Sequence, residues 1–231
     1  MQRTRTIARR AAALTAIALA LALLPACHAA PPLAPALQGE LDRALLDYES
    51  GRIDSARSAL ESLARREVPA ALHNLAVMHL RGQMPQSSPA SAERLLTRAA
   101  EAGFVTAQLL LGQLYEGETL GRRDLVLAHR WYELAAHAGS VEGQVALATA
   151  YYLGRGKPKD PARAVHWYRE AAKAGDVGAQ YLLASMYEQG DGVALDLRLA
   201  RYWYDIAARN GDEAAPGKLK EIDARLAARP G

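Results

Sequence analysis

The chain has 231 residues, half of them apolar but only 6% aromatic, with 28 Lys and Arg against 25 Asp and Glu. The formal charge of +3 invites a nucleic-acid partner, but Arg3, Arg5, Arg9 and Arg10 supply four of the bases and no acid precedes Cys27, so the remainder carries 24 bases and 25 acids. A body with net charge −1 does not make a nucleic-acid footprint, and Cys27 as the only cysteine excludes an internal disulfide and thiolate metal clusters.

Residues 1–29 read as an export signal: a basic stretch up to Arg10, an uncharged run from Ala11 to Leu24, then small residues. The uncharged run is shorter than the roughly 20 residues a membrane-spanning helix needs. Leu24-Pro25-Ala26-Cys27 resembles the lipobox of bacterial lipoproteins, which implies lipidation of Cys27 and an exported, periplasmic, membrane-anchored protein. Cleavage after Ala29, with Cys27 and Ala29 in the recognition positions, is the alternative and gives a soluble product. Arg9-Arg10 is read as plain n-region charge. Residues 30–35 complete an Ala- and Pro-rich tether.

Residues 36–68 carry two helical stripes, Leu37, Leu41, Ala44, Leu45 and Tyr48, then Ala56, Ala59, Leu60 and Leu63, with Gly51 and Asp54 between them. This layout resembles a tetratricopeptide hairpin. From residue 69 to 212 a 36-residue period governs the sequence. Trp131, Trp167 and Trp203 keep it, as do Gly103, Gly139, Gly175 and Gly211, the pairs Ala99-Ala100 to Ala207-Ala208, and Tyr115, Tyr151 and Tyr187. Within a copy, an apolar helical stripe such as Ala179, Leu183, Ala184 and Tyr187 ends at a glycine turn. Ser88, Asp124, Asp160 and Asp196 then offer N-caps for a second helix. Pro89 and Pro161 follow where a missing N–H costs nothing. Each copy is therefore a helical hairpin, with Trp and Tyr filling the gap toward its neighbour, and hairpins must stack to bury both faces. The expected fold is all-α, an α-solenoid (α/α superhelix) of stacked antiparallel helical hairpins. Residues 213–231 end it with an amphipathic capping helix from about Pro216 to Ala228, built on Leu219, Ile222 and Leu226.

The pattern Ala-x-x-x-Leu-x-x-x-Tyr, Gly-x-Gly, then Asp-x-x-x-Ala-x-x-Trp-Tyr-x-x-Ala-Ala-x-x-Gly resembles the Sel1-like repeat, a relative of the tetratricopeptide repeat. The third and fourth copies match it best. The first has Leu95-Leu96 for Trp-Tyr and His79 for Tyr, and the second has Gly117-Glu118-Thr119-Leu120 at the turn. The loops of these two copies are expected to differ and the helices to persist. One branch of the family, described as binding or hydrolysing β-lactams, carries paired cysteines in its repeats, and this chain has none.

No catalytic constellation, metal set or cofactor motif emerges. His73 and His79 point roughly 240° apart on one helix and cannot chelate together. His129 and His137 are two turns apart. Gly154-Arg155-Gly156-Lys157 lacks the spacing and hydroxyl of a phosphate loop. The expected function is non-catalytic: an envelope scaffold or adaptor holding a protein or peptide in the solenoid groove, touching the membrane only through its anchor. A periplasmic regulator sequestering a signalling partner, and a cell-wall or carbohydrate binder, are the alternatives. Composition leaves the oligomeric state open. In each first helix the positions the repeat does not fix share a face at i, i+3, i+7 and i+10. They are Ala70, His73, Val77, Leu80; Thr106, Leu109, Gln113, Glu116; Glu142, Val145, Thr149, Tyr152; and Gly178, Tyr181, Ser185, Glu188. His73, Gln113, Glu116, Tyr152, Tyr181 and Glu188 are the expected partner-binding residues, with packing against neighbouring helices as the competing role for the aliphatic ones.

Overall fold

The structure is a computed structural model that describes residues 33–228. The export signal, Cys27 and residues 30–32 of the tether lie outside the described residues. Those residues hold eleven α-helices and no strand. They divide into two compact units, residues 33–138 and residues 139–228. In the first, α1 (Pro35–Glu49) and α2 (Ile53–Arg65) make the N-terminal hairpin, followed by α3 (Pro69–Leu80), α4 (Pro89–Glu101), α5 (Val105–Glu116) and α6 (Leu125–His137). The second holds α7 (Val141–Leu153), α8 (Pro161–Lys173), α9 (Val177–Gln189), α10 (Leu197–Arg209) and the terminal α11 (Ala215–Ala227). Inside each unit every helix packs on the next in sequence, the signature of a solenoid.

The hairpins start where local chemistry says they must. The Asp124 carboxylate accepts from the N–H groups of Val126 and Leu127, Asp160 from Arg163, and Asp196 from Arg198 and Leu199, while the Ser88 hydroxyl accepts from Ser91. Each satisfies donors that the first helical turn leaves orphaned, a contribution of about 1 kcal/mol per cap. Ser140 and Asp176 do the same for α7 and α9. Second helices end on the periodic glycine; Gly175 takes φ +98°, and Gly175 and Asp176 return hydrogen bonds to Ala172 and Ala171. Only a residue without Cβ adopts that backbone cheaply.

The loop inside each of the last three copies closes the same way whatever its sequence. The cap residue's N–H donates to the carbonyl of the periodic tyrosine, Asp124 to Tyr115, Asp160 to Tyr151 and Asp196 to Tyr187, at 2.8 to 3.0 Å. As expected, copies differ between those clamps. Gly154 and Gly156, like Gly190 and Gly192, are left-handed, whereas Gly117 is extended (φ −87°, ψ −167°) and the second copy's left-handed glycine is Gly121.

The two helices of a hairpin are buried differently. In α9 every residue from Ala179 to Glu188 is buried, because second helices flank it on both sides, while α10 buries only Leu197, Ala200, Tyr204 and Ala207. The periodic tryptophans carry less of the core than their spacing suggests. Trp131 is buried, but Trp167 and Trp203 are only half-buried, and it is the following residues, Tyr132, Tyr168 and Tyr204, that are enclosed in all three of these copies, as is Leu96 at that position in the first. In α11, Ile222 is fully buried and Leu219 and Leu226 half-buried.

Candidate functional site

The variable stripe of the first helices turns toward the second helix of its own hairpin, where the enclosed tyrosines meet it. Tyr132 donates its hydroxyl to Glu116 Oε2 at 2.8 Å, and Tyr204, two repeats on, donates to Glu188 Oε2 at 2.9 Å. In the copy between, Tyr152 stands at the glutamate position, and the Tyr168 hydroxyl instead pairs with Thr149 Oγ1 at 2.8 Å. Burial raises the pKa of both Tyr168 and Tyr204, the Glu188 charge adding to the effect on Tyr204, so both hydroxyls stay neutral.

This arrangement corrects the expectation drawn from the stripe. Tyr181 is buried edge-on against Tyr204, ring centroids 5.1 Å apart. Tyr152 is buried with the Lys159 ammonium 5.0 Å from its ring centre, and burial together with the Asp191 charge pushes its hydroxyl up to about 12. Glu188 is buried as an acceptor: besides Tyr204 it takes Arg225 Nη1 at 2.8 Å, with Lys218 Nζ at 3.6 Å, so it fixes α11 to the inner helix. His73 is enclosed next to the Phe104 ring, 5.4 Å between centroids, and burial holds its pKa down to about 4. A side chain enclosed by its own fold has no area left for a partner, so these four residues serve packing. Of the expected binding residues only Gln113 is exposed and Glu116 half-buried, both on α5, where Thr106 and Leu109 are half-buried too. Sequence spacing could not separate these cases, because all four stripes share one register.

Among the described residues no group of three or more His, Cys, Asp or Glu side chains is placed to hold a metal ion. A cleft of about 640 Å³ is lined by Glu188, Gln189, Glu221 and Arg225. Its charges are already engaged, Glu188 with Arg225 and Glu221 with Lys218, and its lining has none of the aliphatic or aromatic residues that dominate small-molecule sites. Also among the described residues, no helix is long and apolar enough to cross a membrane.

Hairpins with a 36-residue period, stacked within each unit, define a helical-repeat protein. The chain belongs to the Sel1 repeat family, whose model matches residues 69–104, 105–140, 141–176 and 177–212. Sel1 repeat proteins are in general non-catalytic protein–protein interaction scaffolds. The crystal structure of a Sel1 repeat protein from Oxalobacter formigenes is similar, with a TM-score of 0.76 and 28% identity over 82% of this chain and 78% of that one. So is c5321, a protective antigen of uropathogenic Escherichia coli strains displaying an SLR fold, with a TM-score of 0.77 and 29% identity over 83% of this chain and 42% of that longer one. No curated protein matches the chain in sequence.

Proposed function

We propose that the protein is an exported adaptor of a bacterial envelope, anchored through a lipidated Cys27, that holds a protein or peptide partner along α5. The observation that carries this reading is the contrast among the four stripes. His73, Tyr152, Tyr181 and Glu188 are enclosed, while Thr106, Leu109, Gln113 and Glu116 keep exposed surface on α5. That strip offers an aliphatic contact beside amide, hydroxyl and carboxylate groups, which suits a peptide segment carrying hydrogen-bond donors. The anchor is supported by the small residues that precede the sole cysteine at the end of the apolar run.

The test is a pull-down from detergent-solubilised envelopes, run beside membrane fractionation of cells producing the same variants. Leu109→Ala/Gln113→Ala should lose the partner while keeping the wild-type melting temperature. Cys27→Ser should move the protein from the membrane to the soluble fraction, because the acyl chains contribute about 0.8 kcal/mol per buried CH₂. Equal capture by wild type and the α5 variant removes α5 as the contact surface, and a wild type found soluble with its N-terminus at Ala30 removes the anchor.

A further inference from the structure

One position in the fourth copy breaks the repeat's own pattern. The residue before the periodic glycine is Ala102, Ala138 and Ala174 in the first three copies and Asn210 in the fourth, which makes Asn210-Gly211 the only Asn-Gly pair in the chain. The exception has a structural role. A glutamine recurs at the same 36-residue step, Gln108, Gln144 and Gln180. Gln108 and Gln180 donate Nε2 to the carbonyls of Ala100 and Ala172, both at 3.1 Å. The Oε1 atoms of Gln108 and Gln144 are buried without a hydrogen-bond partner, whereas that of Gln180 accepts from Asn210 Nδ2 at 3.0 Å. Asn210 therefore latches the C-terminus of α10 to the buried side of α9.

An asparagine before a glycine also carries a built-in reaction, because glycine puts no side chain in the way of its own amide nitrogen. The Gly211 nitrogen attacks the Asn210 carboxamide carbon and gives up its proton. The new N–C bond forms as the bond to Nδ2 breaks, and Nδ2 leaves as ammonia. Water then opens the cyclic imide at one of two C–N bonds, leaving aspartate or isoaspartate, with no oxidant or reductant involved. Asn210 and Gly211 are both exposed, and the space beside the Gly211 Cα is open.

The folded cap holds this reaction back. Ring closure needs the Gly211 nitrogen eclipsed with the Asn210 Cβ, but at ψ 11° it lies nearly eclipsed with the backbone nitrogen of Asn210 instead. The Gly211 N–H also donates to the Ala208 carbonyl at 3.1 Å, and Nδ2 is held by Gln180. All three restraints belong to the last turn of a helix, the part that opens most readily. Reclosing does not undo the conversion. A carboxylate at position 210 has no proton for Gln180 Oε1, and turning the Gln180 amide over would set its oxygen against the Ala172 carbonyl. Isoaspartate lengthens the main chain by a methylene just ahead of Gly211, whose φ of +94° closes the cap. Beyond it lies Asp212, which accepts from the Ala214 and Ala215 N–H groups at the start of α11.

We propose that Asn210 is a self-modification site: it converts to aspartate and isoaspartate when the end of α10 opens, and loss of the Gln180 latch then loosens α11. Each molecule thereby keeps an irreversible record of opening at this end of the second unit. The site acts whatever partner α5 holds and whether or not Cys27 is lipidated.

The test incubates the full chain in heavy-oxygen water at growth temperature and neutral to mildly alkaline pH, both folded and in denaturant. Peptide mass spectrometry reads each asparagine, with chromatographic separation of the aspartate and isoaspartate peptides. Asn74, buried in α3 and followed by Leu75, is the internal reference. Position 210 should take up heavy oxygen in both states, at least about tenfold faster in denaturant, because the folded reaction waits for local opening. Gln180→Ala should speed it in the folded chain by roughly 2- to 10-fold, the effect of losing one hydrogen bond. Because Gln180 is buried, a separate readout uses Asn210→Asp, whose α11 amides should exchange hydrogen severalfold faster than in wild type with helicity unchanged. A folded chain that never converts, equal rates folded and denatured, or α11 exchange in Asn210→Asp that matches wild type overturns the proposal.

Discussion

In α3 of the first unit, Asn74 is fully buried with neither its amide oxygen nor its nitrogen hydrogen-bonded, and neighbouring His73 has an unpaired Nδ1. The second unit, built on the same repeat, gives most of its enclosed polar groups partners, the Tyr152 hydroxyl being an exception. Gln180 donates to the Ala172 carbonyl and accepts from Asn210, Thr149 meets Tyr168, and Glu188 gathers Tyr204 and Arg225. The difference teaches that a repeat template fixes where side chains go but not whether their polar atoms are satisfied. An unpaired buried amide costs about 1 to 3 kcal/mol where a paired one is roughly neutral or better.

The largest effect is expected from breaking the paired side. Tyr204→Ala removes a fully buried ring and takes a hydrogen bond from buried Glu188, so it should lower stability by roughly 3 to 5 kcal/mol. Trp203→Ala, one residue earlier and half-exposed, should cost clearly less; denaturant titration of both variants checks the order. Equal losses would mean that the periodic tryptophan, not the tyrosine, carries the hairpin.

His73 sharpens the comparison next. Burial holds its folded pKa near 4 against 6.5 for the free group, so on acidification the unfolded chain takes up the proton first. Its contribution to stability is complete above about pH 6.5 and is lost as pH falls toward 4, by up to roughly 3 kcal/mol. His73→Gln does not titrate, so the difference in unfolding free energy between wild type and variant should shrink across that window. A difference that holds constant from pH 7 to 4 would show that the imidazole is hydrated in the folded state.

The smallest effect has the opposite sign. Asn74→Leu replaces an unpaired amide with a side chain of similar volume, and thermal unfolding should show a gain of about 1 to 2 kcal/mol. A loss would mean that the Asn74 amide has a partner such as internal water.

The hairpins and their limits were legible because their signals are local. A cap at Asp160, a proline at position 161 and a left-handed glycine at position 175 each act through the backbone within a few residues. The side chains available for binding were not legible, and α9 shows why. Ten consecutive residues are enclosed there, so helical periodicity offers no dry side to set against a wet one, and Tyr181 cannot be told from Tyr187 by spacing. The sequence paired each periodic tryptophan with the tyrosine after it as gap-fillers, but spacing alone did not show that Tyr132, Tyr168 and Tyr204 are enclosed more fully, their hydroxyls hydrogen-bonded one helix away.

The backbone clamp between each periodic tyrosine and the following cap aspartate has a consequence for how such a chain diversifies. Tyr115 to Asp124, Tyr151 to Asp160 and Tyr187 to Asp196 are joined carbonyl to amide across the same interval, although the second copy's segment lacks the Gly-x-Gly that the third and fourth share. The segment between behaves as an exchangeable cassette. Its ends are set by main-chain atoms that no substitution other than proline at the cap removes, so its exposed positions, apart from the left-handed glycines and Glu188, are free to vary. Turn segments transplanted from one copy to another should leave helix register intact.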